Sequence, residues 1–372
     1  MAKTNPRCDP CLLRRRVLHL FALSLFGTIV VINRLFLNQR RTVYEHKIVP
    51  IVNSPVIERN GRAFSEGPSG TVPDLVPATN HYSIVPFGKF FVPRWERVTP
   101  LDFEFMSATK GPCNSDQPFL IVLVLSMTKN WKLRKAVRET WGSVNRTNTW
   151  AGKPLRKPVR VIFVIGMSKN DDALLHESDV YGDIVHVSVP ESYYNLTYKV
   201  LMGIRWVYHF CSEVEFVAKV DEDTFPDVPV FLDILTLVNM TNTIMGPFFT
   251  FSKVQRTGKY AVSEASYPAP QYPPHCKGNF YLMPADLAFR ILKTAQHLPY
   301  DNMEDAHLTG VVAYSIGGVR FRGLTRKQYS IRYPPKVCEY INGTKIVAQK
   351  VHPALGQEIW KRFNDESLCS ES

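Results

Sequence analysis

The stretch FVAKVDEDTF, residues 216–225, decides the fold class of this chain. Residues 214–220 are mostly apolar, which is typical of a strand buried on both faces of a parallel sheet. Asp221, Glu222 and Asp223 follow this strand directly. Ligands of open α/β sheets bind just beyond the carboxyl ends of the strands. The stretch therefore predicts a buried strand that ends at a ligand site.

Apolar runs and helical stretches alternate on the N-terminal side of this strand. The runs are β-branched and short, whereas the longest helical stretch repeats its apolar residues at intervals of one helical turn. The predicted strands are 119–125, 159–165 and 184–189, and the predicted helices are 130–141 and 195–210. This alternation predicts an α/β domain with a mostly parallel central sheet.

The composition is that of a basic protein with a sizeable core. Hydrophobic residues make up 45% of the chain, and 45 Lys and Arg against 33 Asp and Glu give a formal net charge of +12. That balance fits nucleic acid, a membrane surface or an anionic substrate, and a solvated basic surface is an equal alternative. The chain has no basic–aromatic RNA motif and no zinc-finger spacing. We therefore expect no nucleic-acid partner and favour a nucleotide diphosphate.

The acidic triplet 221–223 predicts a metal site. Adjacent carboxylates repel one another. A divalent cation offsets this repulsion because it takes their oxygens as ligands. An Asp-x-Asp turn after a strand projects Asp221 and Asp223 to one side, where Mn²⁺ or Mg²⁺ could bridge them to a diphosphate. A solvated acidic turn is the alternative for such a triplet taken alone.

A second carboxylate pair, Glu304 and Asp305, could supply a general base. Such a base takes the proton from an attacking hydroxyl group. The alternative is an acidic helix N-terminus, where negative charge interacts favourably with the helix dipole.

The N-terminal region predicts a membrane anchor. Residues 17–33 contain no Asp, Glu, Lys or Arg, and extending this run to residue 37 gives about the ~20 residues that a span needs. A cleaved signal peptide is the alternative, but no small-x-small cleavage site follows the run. Positive charges before the run favour a cytosolic N-terminus. The expected segments are a cytosolic tail (1–16), a signal anchor (17–37), a stem (38–112) and a lumenal domain (113–372).

Most cysteines and all glycosylation sequons follow this predicted anchor. Cysteines in an oxidising lumen form lasting disulfides, and five of them leave at least one thiol free or paired between chains. Their connectivity stays open. The five are Cys113, Cys211, Cys276, Cys338 and Cys369, and the sequons are at Asn145, Asn195, Asn239 and Asn342.

Five segments in order carry a family resemblance. They are RKAVRETWG at 134–142, ESYYNLT at 191–197 with Lys199, FVAKVDEDTF at 216–225, YPPHCKG at 272–278, and Glu304 with Asp305. Together they resemble the motifs of the β-1,3-glycosyltransferase family, which contains β-1,3-galactosyltransferases and β-1,3-N-acetylglucosaminyltransferases. The resemblance implies a nucleotide-sugar-binding fold of the GT-A type.

The resemblance also implies roles for individual residues. Asp221, Glu222 and Asp223 would lie at the nucleotide sugar, with Asp221 and Asp223 on the metal. Arg134 and Arg138 would lie near the nucleotide, because Arg suits diphosphate recognition; packing of their helix beneath the sheet is the alternative.

The remaining implied roles concern catalysis and the sugar pocket. Asp305 would be the catalytic base, and Glu304, Lys277 and Gly278 would shape the acceptor or donor pocket. Residues 277–284 depart from the family pattern, where a glycine-rich stretch is usual, so the donor sugar stays open.

The function implied is inverting, Mn²⁺- or Mg²⁺-dependent transfer of galactose from UDP-galactose, in β-1,3 linkage, to a glycan on protein or lipid. The implied location is the Golgi membrane, with a single-pass type II topology. The chain could form homo- or hetero-oligomers, and the oligomeric state stays open. The alternatives are transfer of N-acetylglucosamine or N-acetylgalactosamine, and a non-catalytic lumenal glycan-binding protein. A sulfotransferase is disfavoured because residues 126–130 lack the glycines of a phosphate loop.

Overall fold

The computed structural model describes residues 76–79, 90–109, 113, 117–169, 171–250, 252–365 and 369. The predicted cytosolic tail, the predicted anchor and much of the predicted stem lie outside these residues. Within the described ranges, no helix is both long and apolar enough to cross a membrane.

A nine-stranded mixed sheet forms the centre of the described domain. Its strands are β1 (Val76–Thr79), β2 (Phe105–Ala108), β3 (Leu120–Ser126), β4 (Val159–Met167), β5 (Ile184–Pro190), β6 (Phe216–Asp221), β7 (Thr243–Gly246), β8 (Phe280–Pro284) and β9 (Arg320–Gly323). Their spatial order is β1-β9-β7-β8-β6-β3-β4-β5-β2. Six of them (β3 to β7, and β9) run in one direction. The predicted α/β fold with a mostly parallel central sheet is confirmed, and the four predicted strands are β3 to β6.

Helices cover both faces of this sheet. Those of nine residues or more are α1 (Trp131–Glu139), α2 (Asp172–Tyr181), α3 (Leu196–Phe210), α4 (Val228–Leu237), α5 (Ala285–Ala295) and α6 (Pro353–Asn364). Shorter helical segments are Thr128–Asn130, Trp141–Ser143, Val144–Thr147, Tyr193–Asn195, the π-helix Ala306–Val312, Ala313–Ile316 and Cys338–Ile341. The helices α3 and α5 pack on one face, and α1, α4 and α6 pack on the other.

The strand β3 illustrates why the central runs are continuously apolar. Leu123 belongs to the core on one face of the sheet, whereas Val122 and Val124 belong to the core on the other. Both faces of β3 are covered by helices, so alternation with polar residues would bury unpaired polar groups. Each such aliphatic side chain stabilises the fold by about 1.5–3 kcal/mol.

Short strands build the rim at the carboxyl end of β6. Phe248–Phe249 pairs with His275–Cys276, Ser252–Lys253 pairs with Gln271–Tyr272, and Val347–Ala348 pairs with both Tyr329–Ser330 and Phe225–Pro226. A fourth small sheet, Thr149–Trp150 with Lys153–Pro154, is also present. Residues of the first three sheets line the cleft described below.

Residues 90–109, which the sequence assigns to a stem, pack on the domain instead. Phe91 and Leu101 are buried in its core, and the Thr99 hydroxyl donates to the carbonyl oxygen of Leu298 at 2.7 Å. The strand β2 within this segment pairs antiparallel with β5 at the sheet edge. Residues 90–109 therefore pack with the domain although they precede the predicted boundary at residue 112, and the stem itself stays a prediction. A four-residue, partly exposed edge strand shows no sustained period from which the sequence could predict it.

Two disulfides settle the connectivity that the sequence leaves open. Cys113 pairs with Cys211, and Cys338 pairs with Cys369. Cys276 is buried and free. Burial is the main cause that raises the pKa of its thiol, so it stays protonated.

The four sequon asparagines differ in exposure. Asn239 and Asn342 are exposed, whereas Asn145 and Asn195 are half-buried. The Asn145 side chain accepts a hydrogen bond from the backbone N–H of Val161, and the Asn195 side chain donates to the carbonyl oxygen of Pro190. Glycosylation of all four stays a prediction, and the two exposed sites offer the most room for a glycan.

Candidate active site

A large cleft opens at the carboxyl end of β6. Its volume is about 1370 Å³, and Asp221, Glu304 and Asp305 all line it. Asp221 ends β6, whereas Glu304 and Asp305 come immediately before the π-helix. The fold therefore brings together the two carboxylate groups that the sequence singles out.

Lys219 links these carboxylates from inside the sheet. Its side chain is 2% exposed, and its Nζ lies 2.6 Å from Oδ1 of Asp221 and 3.6 Å from Oε2 of Glu304. It also donates to the carbonyl oxygen of Gly278. Burial alone would lower the pKa of Lys219, but the charges of Asp221 and Glu304 outweigh burial and raise it. Lys219 is therefore a fixed cation that holds β6 against the segment containing Glu304.

Glu304 is the inner member of the second carboxylate pair. Its Oε1 accepts a hydrogen bond from the Tyr281 hydroxyl, and its side chain is almost fully buried. Burial raises the pKa of Glu304 to about 7, the charge of Lys219 acts in the opposite direction, and the charge of Asp305 raises it further. Glu304 is thus partly protonated near neutral pH and contacts mainly protein groups.

Asp305 is half-buried and faces the cleft. Its Oδ1 accepts a hydrogen bond from the backbone N–H of Ala306 at 2.9 Å, and no described Lys, Arg or His forms an ion pair with it. A Cβ atom at Gly278 would lie 3.2 Å from Oδ2 of Asp305, so a larger residue there would crowd this carboxylate. Glycine at position 278 therefore keeps Asp305 accessible from the cleft.

The Asp-x-Asp turn is held by the C-terminal segment. The Gln349 side-chain N–H lies 3.4 Å from Oδ2 of Asp221, and the backbone N–H of Val351 donates to the carbonyl oxygen of Asp223. Burial raises the pKa of Asp223, and the charge of Asp221 raises it further. The two carboxylates therefore lie close enough to repel one another.

These carboxylates fit one kind of metal ion. Among the described residues, no group of three or more His, Cys, Asp or Glu could hold a metal by itself. Mg²⁺-type sites at nucleotides commonly use one or two protein carboxylates, while substrate phosphates and water supply the other ligands. Asp221, which lines the cleft, fits a hard divalent cation that takes most of its ligands from a bound diphosphate and water, and Asp223 lies in the same turn.

Glu222 points away from the cleft. Its Oε1 accepts a hydrogen bond from the Asn130 side chain, and its Oε2 is buried without a hydrogen-bond partner. Burial raises the pKa of Glu222 to about 7. Neither Glu222 nor Asp223 is among the residues that line the cleft, so Asp221 is the member of the triplet that reaches it.

Arg134 and Arg138 lie inside the fold. Arg138 donates two hydrogen bonds to Asp183, at 2.7 and 2.8 Å, and a third to Glu177 at 2.6 Å. Arg134 is fully buried and donates to the same Glu177. Both arginines therefore join α1 to α2, which agrees with the helix-packing alternative given in the sequence analysis. Neither arginine lines the cleft.

The predicted pocket residues Lys277 and Gly278 both line the cleft, and Asn279 beside them was missed by the sequence analysis. The Asn279 side chain is buried, and neither its oxygen nor its nitrogen has a hydrogen-bond partner within the described structure. Its carbonyl oxygen accepts from the backbone N–H of Asp221, which places it next to the turn. A buried amide without partners is costly, and a ligand could supply them. The departure of this segment from the family pattern was the only sequence feature that pointed to it.

Comparison with known proteins now adds to this geometry. A family model described as galactosyltransferase matches residues 132–320. The chain belongs to the galactosyltransferase family. This family of hexosyltransferases implies a nucleotide-sugar donor and a glycan acceptor, and the resemblance stated from the sequence motifs is confirmed.

Curated relatives agree with this membership. Mouse beta-1,3-galactosyltransferase 5 is 33% identical over 208 residues, which are 54% of this chain and 65% of that protein. Mouse beta-1,3-galactosyltransferase 1 is 30% identical over 295 residues, which are 74% of this chain and 82% of that protein. The match to the first relative thus spans slightly less than two thirds of its length.

Solved structures are similar only at a low level. The WbbM bifunctional glycosyltransferase has 9% identity and a TM-score of 0.38, covering 69% of this chain and 52% of that one. The galactosyltransferase LgtC has 9% identity and a TM-score of 0.33, and the match covers 63% of this chain and 88% of LgtC. Neither contributes to the assignment of the site.

Proposed function

We propose that this chain transfers galactose from UDP-galactose to a hydroxyl of a glycan acceptor, in β-1,3 linkage and with inversion at the sugar carbon. The observation that carries the proposal is the meeting of Asp221 and Asp305 in one cleft, joined through Lys219 and Glu304. Family membership and the similarity to two β-1,3-galactosyltransferases support galactose as the sugar.

In the proposed reaction, the Asp305 carboxylate takes the proton of the acceptor hydroxyl. The acceptor oxygen attacks the anomeric carbon of the sugar, and the bond from that carbon to the diphosphate breaks on the opposite face. UDP leaves with the bonding electrons. Asp305 suits this role because it faces the cleft and has no cation bound to it among the described residues.

Asp221 and Asp223 would hold the donor end of the site. A Mn²⁺ or Mg²⁺ ion bound there would offset the charge of the leaving diphosphate. Lys219 keeps the Asp221 carboxylate in place at 2.6 Å, and Gln349 approaches its other oxygen. These contacts orient Asp221 before any ligand arrives.

The proposed location is the Golgi membrane, with the catalytic domain in the lumen. Two disulfides in the described domain support an oxidising compartment. The sequons after the predicted anchor also fit it. The single-pass type II topology rests on the sequence of residues 1–41.

A donor screen tests the proposed function. The full-length chain is incubated with a panel of UDP-sugars, Mn²⁺ and simple glycan acceptors, with and without a chelator. We expect transfer of galactose that the chelator abolishes. Transfer from UDP-N-acetylglucosamine or UDP-N-acetylgalactosamine, but not from UDP-galactose, would show that the proposed donor sugar is wrong. Absence of transfer from every donor would support the non-catalytic alternative.

A further inference from the structure

One wall of the cleft is a firmly held segment, 252–272. The Arg256 guanidinium donates to the carbonyl oxygens of Val262, Tyr267 and Ala269, at 2.8 to 3.0 Å. The Asn302 side chain donates to the carbonyl oxygen of Ala261 at 3.2 Å. This bond ties the wall to the loop that leads to Asp305. Segment 252–272 is therefore held in place by these hydrogen bonds and forms part of the site.

Lys259 stands on this wall beside two exposed tyrosines. Its Nζ lies 5.0 Å from the ring centroid of Tyr193 and 5.4 Å from that of Tyr260. The two rings are 5.9 Å apart and inclined at 64°. Tyr193 is 37% exposed and Tyr260 is 49% exposed, so both offer ring surface to the cleft. Exposed aromatic rings of this kind pack against the apolar faces of sugar rings.

This cluster lies on the acceptor side of the cleft. Tyr193 and Asp305 line the same cleft, and the Thr197 hydroxyl, one turn beyond Tyr193, donates to a carbonyl oxygen of the loop that leads to Asp305, at 2.8 Å. Burial and then the charge of Asp305 raise the pKa of Tyr193, which agrees with this placement. In the proposed reaction the acceptor hydroxyl must reach Asp305, so the rest of the acceptor lies along Tyr193, Lys259 and Tyr260.

The cleft carries more positive charge than the donor requires. Its lining includes five cationic side chains that form no ion pair within the described structure: Lys253, Lys259, Lys277, Arg326 and Arg332. Of the three carboxylates that line the cleft, Asp221 and Glu304 share Lys219. A nucleotide sugar with its divalent cation is close to neutral. The cleft wall therefore presents positive charge that attracts a second anionic group.

We propose that the acceptor is an anionic glycan, whose carboxylate or sulfate binds Lys259 while its sugar rings pack on Tyr193 and Tyr260. This inference rests on the proposed function, because that function decides which side of the cleft receives the acceptor. Lys253, on the same wall, adds positive charge to the approach. Lys277 adjoins Gly278 and contacts a different ring, since its Nζ lies 4.4 Å from the ring centroid of Phe249.

Equilibrium binding to the full-length chain tests this inference without turnover. Three oligosaccharides with the same non-reducing end are compared in the presence of UDP: a neutral one, one with a uronate and one with a sulfate. We expect at least one anionic oligosaccharide to bind about fivefold more tightly than the neutral one, as for an exposed charge pair. The uronate and sulfate arms tell which anion is preferred.

Two lysine variants supply the control. Lys259→Gln should abolish the preference, whereas Lys293→Gln, an equal loss of charge at an exposed site on α5, should keep it. Equal affinities for neutral and anionic oligosaccharides, or equal effects of the two variants, would overturn the inference. Anionic preference without transfer in the donor screen would refute the proposed function alone, and transfer without anionic preference would refute this inference alone.

Discussion

At the scale of single residues, the cleft depends on groups whose partners lie far away in the sequence. The motifs pointed to Asp221, Glu304 and Asp305 as residue types, and the structure brings them into one cleft. Lys219 belongs to one of the family motifs, but the sequence did not predict what it contacts. Its role requires Glu304, and no local pattern could show that these two side chains meet at 3.6 Å.

Arg138 is predicted to stabilise the fold and not to bind the nucleotide. Replacing Arg138 by Ala would leave the Asp183 carboxylate buried without its bidentate partner. We expect the free energy of unfolding to fall by about 3–5 kcal/mol, measured by denaturant unfolding. The exposed ion pair of Lys135 with Glu139 provides the control, because Lys135→Ala should cost less than about 1 kcal/mol. Unchanged stability with a weakened affinity for UDP would contradict this assignment.

Asn279, in contrast to Arg138, is predicted to bind the donor and not to stabilise the fold. Asn279→Ala removes a buried amide that has no partners in the free protein, so the free energy of unfolding should stay equal or rise. We expect the bound donor to supply partners for this amide, so the same change should raise the KM for the UDP-sugar about tenfold. Donor kinetics and denaturant unfolding on the same preparation check both parts. A loss of stability with an unchanged KM would assign Asn279 to the fold alone.

At the scale of elements, the sequence predicts what is locally periodic. The strands β3 to β6 and the helices α1 and α3 agree with the predicted ranges to within about two residues. The strands β1, β2, β7 and β9 were not predicted, because each has only four residues. The antiparallel β8 was not predicted either. It matters most for the site, because it pairs with β6 and begins just after Lys277 and Gly278.

Asp227 is predicted to make the start of α4 sensitive to pH. It is buried and caps this helix by accepting from the backbone N–H of Val230. Burial raises the pKa of Asp227 to about 7, so folding favours its protonated form. The stability it contributes is present at a pH below its unfolded pKa and is lost as the pH rises through about 7.

Two variants at position 227 separate capping from titration. Asp227→Asn keeps a capping side chain and should flatten the decline in unfolding free energy between about pH 4 and about pH 7. Asp227→Ala should in addition lose about 1 kcal/mol because the cap is absent. Denaturant unfolding across this pH range provides the measurement. An identical pH dependence in the wild type and Asp227→Asn would show that Asp227 does not titrate in this range.

At the scale of the whole molecule, covalent links and N-terminal packing extend the domain beyond the family match. The disulfide Cys113–Cys211 attaches the segment before β3 to the end of α3, and Cys338–Cys369 closes the C-terminal part. The sequence gives an odd count of cysteines after the predicted anchor but not their pairing, because pairing depends on distances that only the fold defines. The predicted anchor stays a prediction, since residues 17–37 lie outside the described ranges.

The cysteines are predicted to fall into distinct classes of reactivity. Cys276 should react with an alkylating reagent only after denaturation, because its side chain is fully buried. The four disulfide cysteines should react only after denaturation and reduction. Mass spectrometry of peptides after stepwise alkylation measures this order. Labelling of Cys276 in the native protein would contradict its burial, and labelling of Cys113 without reductant would contradict its disulfide.

The transfer rate of Asp305→Asn tests whether Asp305 is the catalytic base. We expect transfer from UDP-galactose to fall by about 100- to 10 000-fold, whereas binding of UDP-galactose with Mn²⁺ should be unchanged. Asp286→Asn, the same change at an exposed site on α5, should leave both quantities unaltered. Transfer by Asp305→Asn at the wild-type rate would show that Asp305 is not the base and would contradict the proposed mechanism.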